Sequence, residues 1–133
     1  MTEASTVRPT IVIADDVVEL LVVLREMIEA AGYKVVGAAA NGTDAISLIN
    51  KHKPDLALLD YRLPGGDGLQ ILEAIRRESP ATKAVMLTAY EEESLRMDAE
   101  RLGVSAFLVK GCPASHILKA LRDAQVRGRP LSA

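Results

Sequence analysis

Leu56-Ala-Leu-Leu-Asp-Tyr-Arg-Leu-Pro-Gly-Gly-Asp-Gly68 sets four aliphatic residues against a carboxylate and a loop of turn-forming residues. An unbroken apolar run of this length predicts a strand covered on both faces, as in a parallel sheet. Its last neighbour, Asp60, is harder to place, because a buried charge is costly unless it is paired, hydrogen-bonded or metal-bound. Asp60 is therefore either a solvated strand terminator or a group held where a cation and a ligand meet it.

Similar runs recur on both sides: Ile11–Ala14, Val35–Val36 with Ala38–Ala40, Ala84–Leu87 and Ala106–Val109. Segments with helical spacing separate them. Leu20, Leu24, Met27 and Ala31 mark a first helix stopped by Gly32, and Ala45 and Ile49 a second ending near Lys51-His52-Lys53-Pro54. Leu69, Leu72 and Ile75 mark a third, with Asp67 as N-cap and Ser79-Pro80 as stop. Leu95, Ala99 and Leu102 mark a fourth, closed by Gly103; Ile117, Leu121 and Ala124 mark a fifth, opened by Pro113. Strand and helix in strict alternation predict an α/β fold, a doubly wound five-stranded parallel sheet with right-handed crossovers. The second strand, with Lys34 and Gly37, suits a sheet edge.

Composition fits one such domain. The 133 residues are 49% apolar and 26% charged, with a net charge of −2. There is no basic block to meet nucleic acid, no run long enough for a membrane helix, and no signal-peptide pattern at the N-terminus. The single cysteine, Cys112, leaves no partner for an intramolecular disulfide. These features predict a cytoplasmic protein without direct nucleic-acid or membrane contact. Residues 1–8 read as a flexible N-terminal tail, 9–126 as the domain, and 127–133 as a C-terminal tail or the start of a linker.

In parallel α/β sheets, ligands bind outside the carboxyl ends of the strands. Here the first run ends in Asp15-Asp16, the third in Asp60, the fourth in Thr88 and the fifth in Lys110. Three converging acids call for a hard cation such as Mg²⁺, which needs few carboxylates because it keeps several waters. A carboxylate can also act as a nucleophile and form an aspartyl phosphate. Thr88 can donate a hydrogen bond to a phosphoryl oxygen, and Lys110 adds a mobile positive charge. The set suggests phosphoryl transfer to a carboxylate.

With these residues in place, the sequence resembles the receiver domain of two-component response regulators over about residues 9 to 126. The matching pieces are Asp15-Asp16, Asp60 ahead of Arg62-Leu63-Pro64-Gly65-Gly66-Asp67-Gly68, Leu87-Thr88-Ala89, and Phe107-Leu108-Val109-Lys110. The resemblance implies a flavodoxin-like strand order of 2-1-3-4-5 and a phosphorylation-activated switch with Asp60 as phosphoacceptor. It implies Mg²⁺, or Mn²⁺ in its place, bound directly by Asp16, Asp60 and the Arg62 backbone carbonyl and through water by Asp15. Thr88, Ala89 and Lys110 would contact the phosphoryl group, Thr88 and Phe107 would carry the switch, and Arg62 and Tyr90 would set the lifetime of the adduct.

The implied partners are a sensor histidine kinase or histidine phosphotransfer protein, with a phosphorylation-dependent homodimer also allowed. The implied chemistry is limited to the domain's own phosphorylation and dephosphorylation, and the implied output is a changed strand-four/helix-four/strand-five/helix-five face. Gly111 departs from the Pro that often follows the strand-five Lys. Lys110-Gly111 with Pro113 displaced is more like the receivers that precede DNA-binding helix-turn-helix domains.

Other readings of single features are plainer. His52 and His116 suit exposed helix positions, Glu91-Glu92-Glu93 is favourable charge at a helix N-terminus, and the Gly-rich loop lacks the Gly-Lys-Ser/Thr of a phosphate cradle. A phosphatase or phosphomutase of the haloacid-dehalogenase type usually carries an acid two residues after its nucleophile, where this chain has Arg62. Val17-Val-Glu-Leu-Leu-Val-Val-Leu24 is apolar on more sides than one helix can bury, which predicts a docking face. In receivers resembling this one, that helix and the loop after strand five meet the kinase or phosphotransfer partner.

Overall fold

The computed structural model describes residues 7–127. Most of the expected N-terminal tail and nearly all of the C-terminal one lie outside the described residues. The elements run β1 (Thr10–Ala14), α1 (Val18–Ala30), β2 (Lys34–Ala39), α2 (Gly42–His52), β3 (Leu56–Leu59), α3 (Gly68–Glu78), β4 (Lys83–Thr88), α4 (Glu93–Arg101), β5 (Ala106–Val109) and α5 (Ala114–Arg127). All neighbouring strands pair in parallel in the order β2-β1-β3-β4-β5. The expected strand order and the edge position of β2 are both found, and β5 forms the opposite edge. Pairing of β1 with β2 slips by one residue between Ile11 and Val12, which leaves Val36 bulged at that edge.

The alternation of side chains along each strand divides the core in two. Val12, Ala14, Ala57, Leu59, Ala84 and Met86 point to the side covered by α2, α3 and α4. Ile11, Ile13, Leu56, Leu58, Val85 and Leu87 point to the side covered by α1 and α5. Both sides exclude water, which explains why β1 and β3 read as unbroken aliphatic runs rather than alternating ones.

The helices form where the sequence places starts and stops. Asp67 caps α3 with a reciprocal capping box: its carboxylate accepts from the Gln70 N–H, and the Gln70 side chain accepts from the Asp67 N–H at 2.8 Å. Asn41 caps α2 by accepting from the Asp44 N–H at 2.7 Å. In α1 the expected stripe is corrected. The buried residues are Leu21, Leu24 and Ile28, while Leu20 and Met27 flank them half-buried and Ala31 lies exposed past the helix end. The polar side of this helix, formed by Glu19, Arg25, Glu26 and Glu29, also carries Val18 and Val22, so the apolar residues alone do not set its phase.

The surplus goes to solvent, with Val17, Val18, Val22 and Val23 each between 45% and 59% exposed. Leu121→Ala on α5, where the side chain is wholly buried, is expected to cost about 2–5 kcal/mol. Val22→Ser is expected to stay within about 0.5 kcal/mol of the parent. Urea denaturation of both variants checks this division of α1 and α5 into covered and bare faces.

Candidate phosphoacceptor site

The carboxyl ends of β1 and β3 lie side by side, Ala14 in register with Leu59, so the next residues, Asp15 and Asp60, emerge together. Their backbones are fixed there: the Asp15 N–H donates to the Ala39 carbonyl at 3.0 Å and the Asp60 N–H to the Ala14 carbonyl at 2.9 Å. Both are almost fully buried, at 2% and 5% exposure. Across the sheet, Thr88 ends β4 beside Val109, and the Lys110 N–H donates to the Thr88 carbonyl at 2.8 Å. Gly111, at φ +101°, then turns the chain away in a conformation that L side chains rarely adopt.

Lys110 closes the cluster. Its Nζ lies 2.7 Å from Asp15 Oδ2 and 2.9 Å from Asp60 Oδ2. The remaining oxygens are also engaged: Asp15 Oδ1 accepts from the Val17 N–H at 2.9 Å and Asp60 Oδ1 from the Tyr61 N–H at 2.7 Å. Burial pushes the Asp15 carboxyl above its ordinary value near 3.8, against the hydrogen bonds from Lys110 and Val17 and with the help of the Asp60 charge. For Lys110 burial opposes the charge, but hydrogen bonds to Asp15 and Asp60 outweigh it and hold the ammonium pKa above 10.5. Asp16 stands exposed beside the pair, and the three carboxylates offer oxygens within 4.8 Å of one another. An all-oxygen acidic set of this kind fits Mg²⁺.

Thr88 is wholly buried. Among the described residues its hydroxyl accepts from the Tyr90 N–H at 3.3 Å, which leaves its own hydrogen to donate. Ala89 is exposed just beyond it. Arg62 and Tyr90 meet at the rim, the guanidinium carbon 4.7 Å from the ring centroid. Tyr61 stands edge-on to Tyr90 at 6.3 Å. Asp16, Tyr61, Arg62, Leu63, Pro64 and Asp67 line an open pocket of about 450 Å³ beside the acids.

Phe107 does not join this cluster. It is buried on the α4 side of the sheet, with the Arg96 guanidinium carbon 4.7 Å from its ring centroid. Reasoning from sequence missed Tyr61 and Arg96, whose contacts depend on tertiary placement rather than spacing. His52 and His116 are exposed, and Cys112 is a half-buried free thiol.

Comparison with known proteins agrees with this geometry. The family model described as response regulator receiver domain matches residues 11–122. A Mycobacterium tuberculosis protein named "Probable transcriptional regulatory protein NarL" is 37% identical over 111 residues, covering 84% of this chain and 51% of that protein. The chain thus spans about half the length of that relative. The chemotaxis protein CheY of Listeria monocytogenes is 31% identical over 114 residues, covering 86% of this chain and 96% of that protein. The solved receiver domain of NarL from Mycobacterium tuberculosis superposes with a TM-score of 0.82 at 35% identity, covering 92% of this chain and 98% of that one. A CheY complex from Borrelia burgdorferi, solved with CheX, BeF3 and Mg²⁺, shares the fold with a TM-score of 0.85 at 23% identity, covering 92% of this chain and 93% of that one. Among the described residues no helix is long and apolar enough to cross a membrane.

The raised Asp15 pKa has a sign that can be tested without metal. A folded pKa above the unfolded one means that ionisation removes stability as the pH rises from about 3.8 through the folded value. In metal-free buffer, Asp15→Asn is therefore expected to raise the unfolding midpoint at pH 7. The gap should close as the pH falls toward 3.8. Thermal unfolding of parent and variant across that range reads it.

Proposed function

This chain belongs to the response regulator receiver domain family, and on that premise we propose that it is a phosphorylation-controlled switch whose acceptor is Asp60. The observation that carries the reading is a carboxylate held almost dry at the end of an aliphatic strand, 2.9 Å from a lysine and beside two further acids. An Asp60 oxygen attacks the phosphorus of a phosphohistidine on a sensor kinase or phosphotransfer partner. The new O–P bond forms as the P–N bond breaks, and the electron pair stays with the imidazole nitrogen, which takes up a proton. Fixed backbone bonds to Asp60 keep the nucleophile in line without further ordering.

Asp16, Asp60 and the Arg62 carbonyl would hold Mg²⁺ or Mn²⁺ directly and Asp15 through water. When bound, the ion supplies compact positive charge against the acids and the phosphoryl oxygens. Lys110 spans Asp15 and Asp60 before the reaction, and the adduct adds about −1.5 to −2 charges beside it. The ammonium follows that charge, the Thr88 hydroxyl donates its free hydrogen, and Ala89 offers its N–H. Movement of Thr88 and Lys110 strains β4 and β5 and biases Phe107, and with it the face formed by β4, α4, β5 and α5. Inverting a 1:99 population needs about 5.5 kcal/mol of differential interaction, which a low-dielectric charge with two partners can supply.

The bare valines of α1 and the loop after β5 form the docking side for the phosphodonor. A cytoplasmic setting and a phosphorylation-dependent homodimer complete the reading. The domain's own phosphorylation and dephosphorylation are the only reactions it needs.

Acetyl phosphate with Mg²⁺ is expected to place one phosphoryl group on Asp60, and Asp60→Asn to abolish it. Mass spectrometry locating the adduct elsewhere would overturn the assignment.

The lifetime of the adduct depends on a water in line with the bond between the Asp60 oxygen and phosphorus. Arg62 and Tyr90, stacked at 4.7 Å, border that approach, and neither can orient a water as a carboxylate could. The adduct should last minutes or longer. Arg62→Asn with Tyr90→Glu should speed its loss about tenfold, or about 1.4 kcal/mol in the barrier. Decay of the isolated phosphoprotein at the parent rate would show that the pair does not gate water.

A further inference from the structure

The loop from Asp60 to Gly68 carries the acceptor, Arg62 and the pocket wall, so its placement sets the geometry of the site. It is pinned at two places. At its base Gly68 lies against the strand end: its N–H donates to the Tyr61 carbonyl at 2.7 Å, and a Cβ there would stand 2.7 Å from the Asp60 carbonyl oxygen. At its apex it is bound to the start of α2, an element that contributes no residue to the acid cluster. The Gly42 N–H donates to the Pro64 carbonyl at 2.8 Å and the Thr43 hydroxyl to the Gly65 carbonyl at 3.1 Å. Gly42 is itself buried, and a Cβ on it would come 1.9 Å from the Gly66 carbonyl oxygen. No side-chain rotation relieves that contact, because the obstacle is backbone.

We infer that Gly42 and Thr43 are positioning residues for phosphoryl transfer: they strap the β3–α3 loop to α2 and so hold Arg62 in place beside Asp60. The inference rests on the acceptor role proposed for Asp60. The strap acts on the loop rather than on the reacting atoms. Its loss should loosen the Arg62 backbone and side chain together, weakening cation binding and shortening the adduct's lifetime while the buried Asp15–Lys110–Asp60 cluster remains. Three backbone carbonyls in succession, those of Pro64, Gly65 and Gly66, face the first two residues of one helix, so the contact is a surface rather than a single bond.

The test compares Thr43→Ala, Thr43→Ser and Gly42→Ala with the parent. Mg²⁺ affinity is read by calorimetric titration and by the amide NMR shift of Arg62, and lifetime by decay of the acetyl phosphate adduct. Thr43→Ala removes one hydrogen bond and should weaken Mg²⁺ binding about fivefold, with faster loss of the phosphoryl group. Thr43→Ser, which keeps the hydroxyl, should restore both. Gly42→Ala must displace the loop and should have the larger effect; if it fails to fold, the Thr43 pair still decides. Ile28→Val, a core change at the far end of α1, should lower the unfolding midpoint without moving Mg²⁺ affinity, which separates positioning from general destabilisation. Parent-like Mg²⁺ affinity and lifetime in Thr43→Ala would overturn the inference, as would a failure of Thr43→Ser to rescue. Absence of labelling in the parent would instead defeat the acceptor role of Asp60, and the Mg²⁺ titrations would still judge the strap.

Discussion

Two nearly dry carboxylates share one ammonium at the carboxyl end of the sheet, and most of the architecture follows from making that arrangement tolerable. Asp15 and Asp60 cannot stay ionised side by side in a low-dielectric setting without a counter-charge. Lys110 supplies it from β5, two strands away from β3, so the sheet must bring β1, β3 and β5 to one end in one register. Parallel pairing through β4 does this. The backbone bonds of Asp15 to Ala39 and of Asp60 to Ala14 then hold the acids against their mutual repulsion.

The cost of that arrangement is met by the two aliphatic layers. The sheet is covered on one side by α1 and α5 and on the other by α2, α3 and α4, so every buried strand residue contributes its full transfer free energy. Stability is generated along the strands and spent at their ends. Asp15, whose carboxyl burial pushes upward, shows the expense directly, since an ionised acid there works against the fold.

Much of this was legible from the chain. Short unbroken aliphatic runs between helical segments gave the alternation, and the polar residues closing four of the five runs marked Asp15, Asp16, Asp60, Thr88 and Lys110 as neighbours. The phase of α1 was misread, because Val18 and Val22 share the polar side with Glu19, Arg25, Glu26 and Glu29 and blur its boundary. Not legible were the contacts of Tyr61 with Tyr90 or Arg96 with Phe107, which join residues far apart in sequence through stacking that no spacing rule encodes. The close approach of Gly42 to Gly66 was hidden for the same reason: a glycine kept for space looks, in sequence, like a glycine kept for a turn.

The four bare valines at the start of α1 bear on how selective this molecule can be. Apolar surface contributes roughly 25 cal/mol for each Å² taken out of water, whatever the shape or origin of the surface that covers it. Affinity on that face is thus available to many partners. Discrimination has to come from the charged residues, where Glu19 sits within the stripe and the exposed Arg25 and Glu29 pair at 3.7 Å further along the helix. Like charges set against these residues repel a wrong partner, and opposite ones fix the register of a right one. Fidelity between parallel signalling routes would then depend on a few polar side chains around a sticky but indifferent centre.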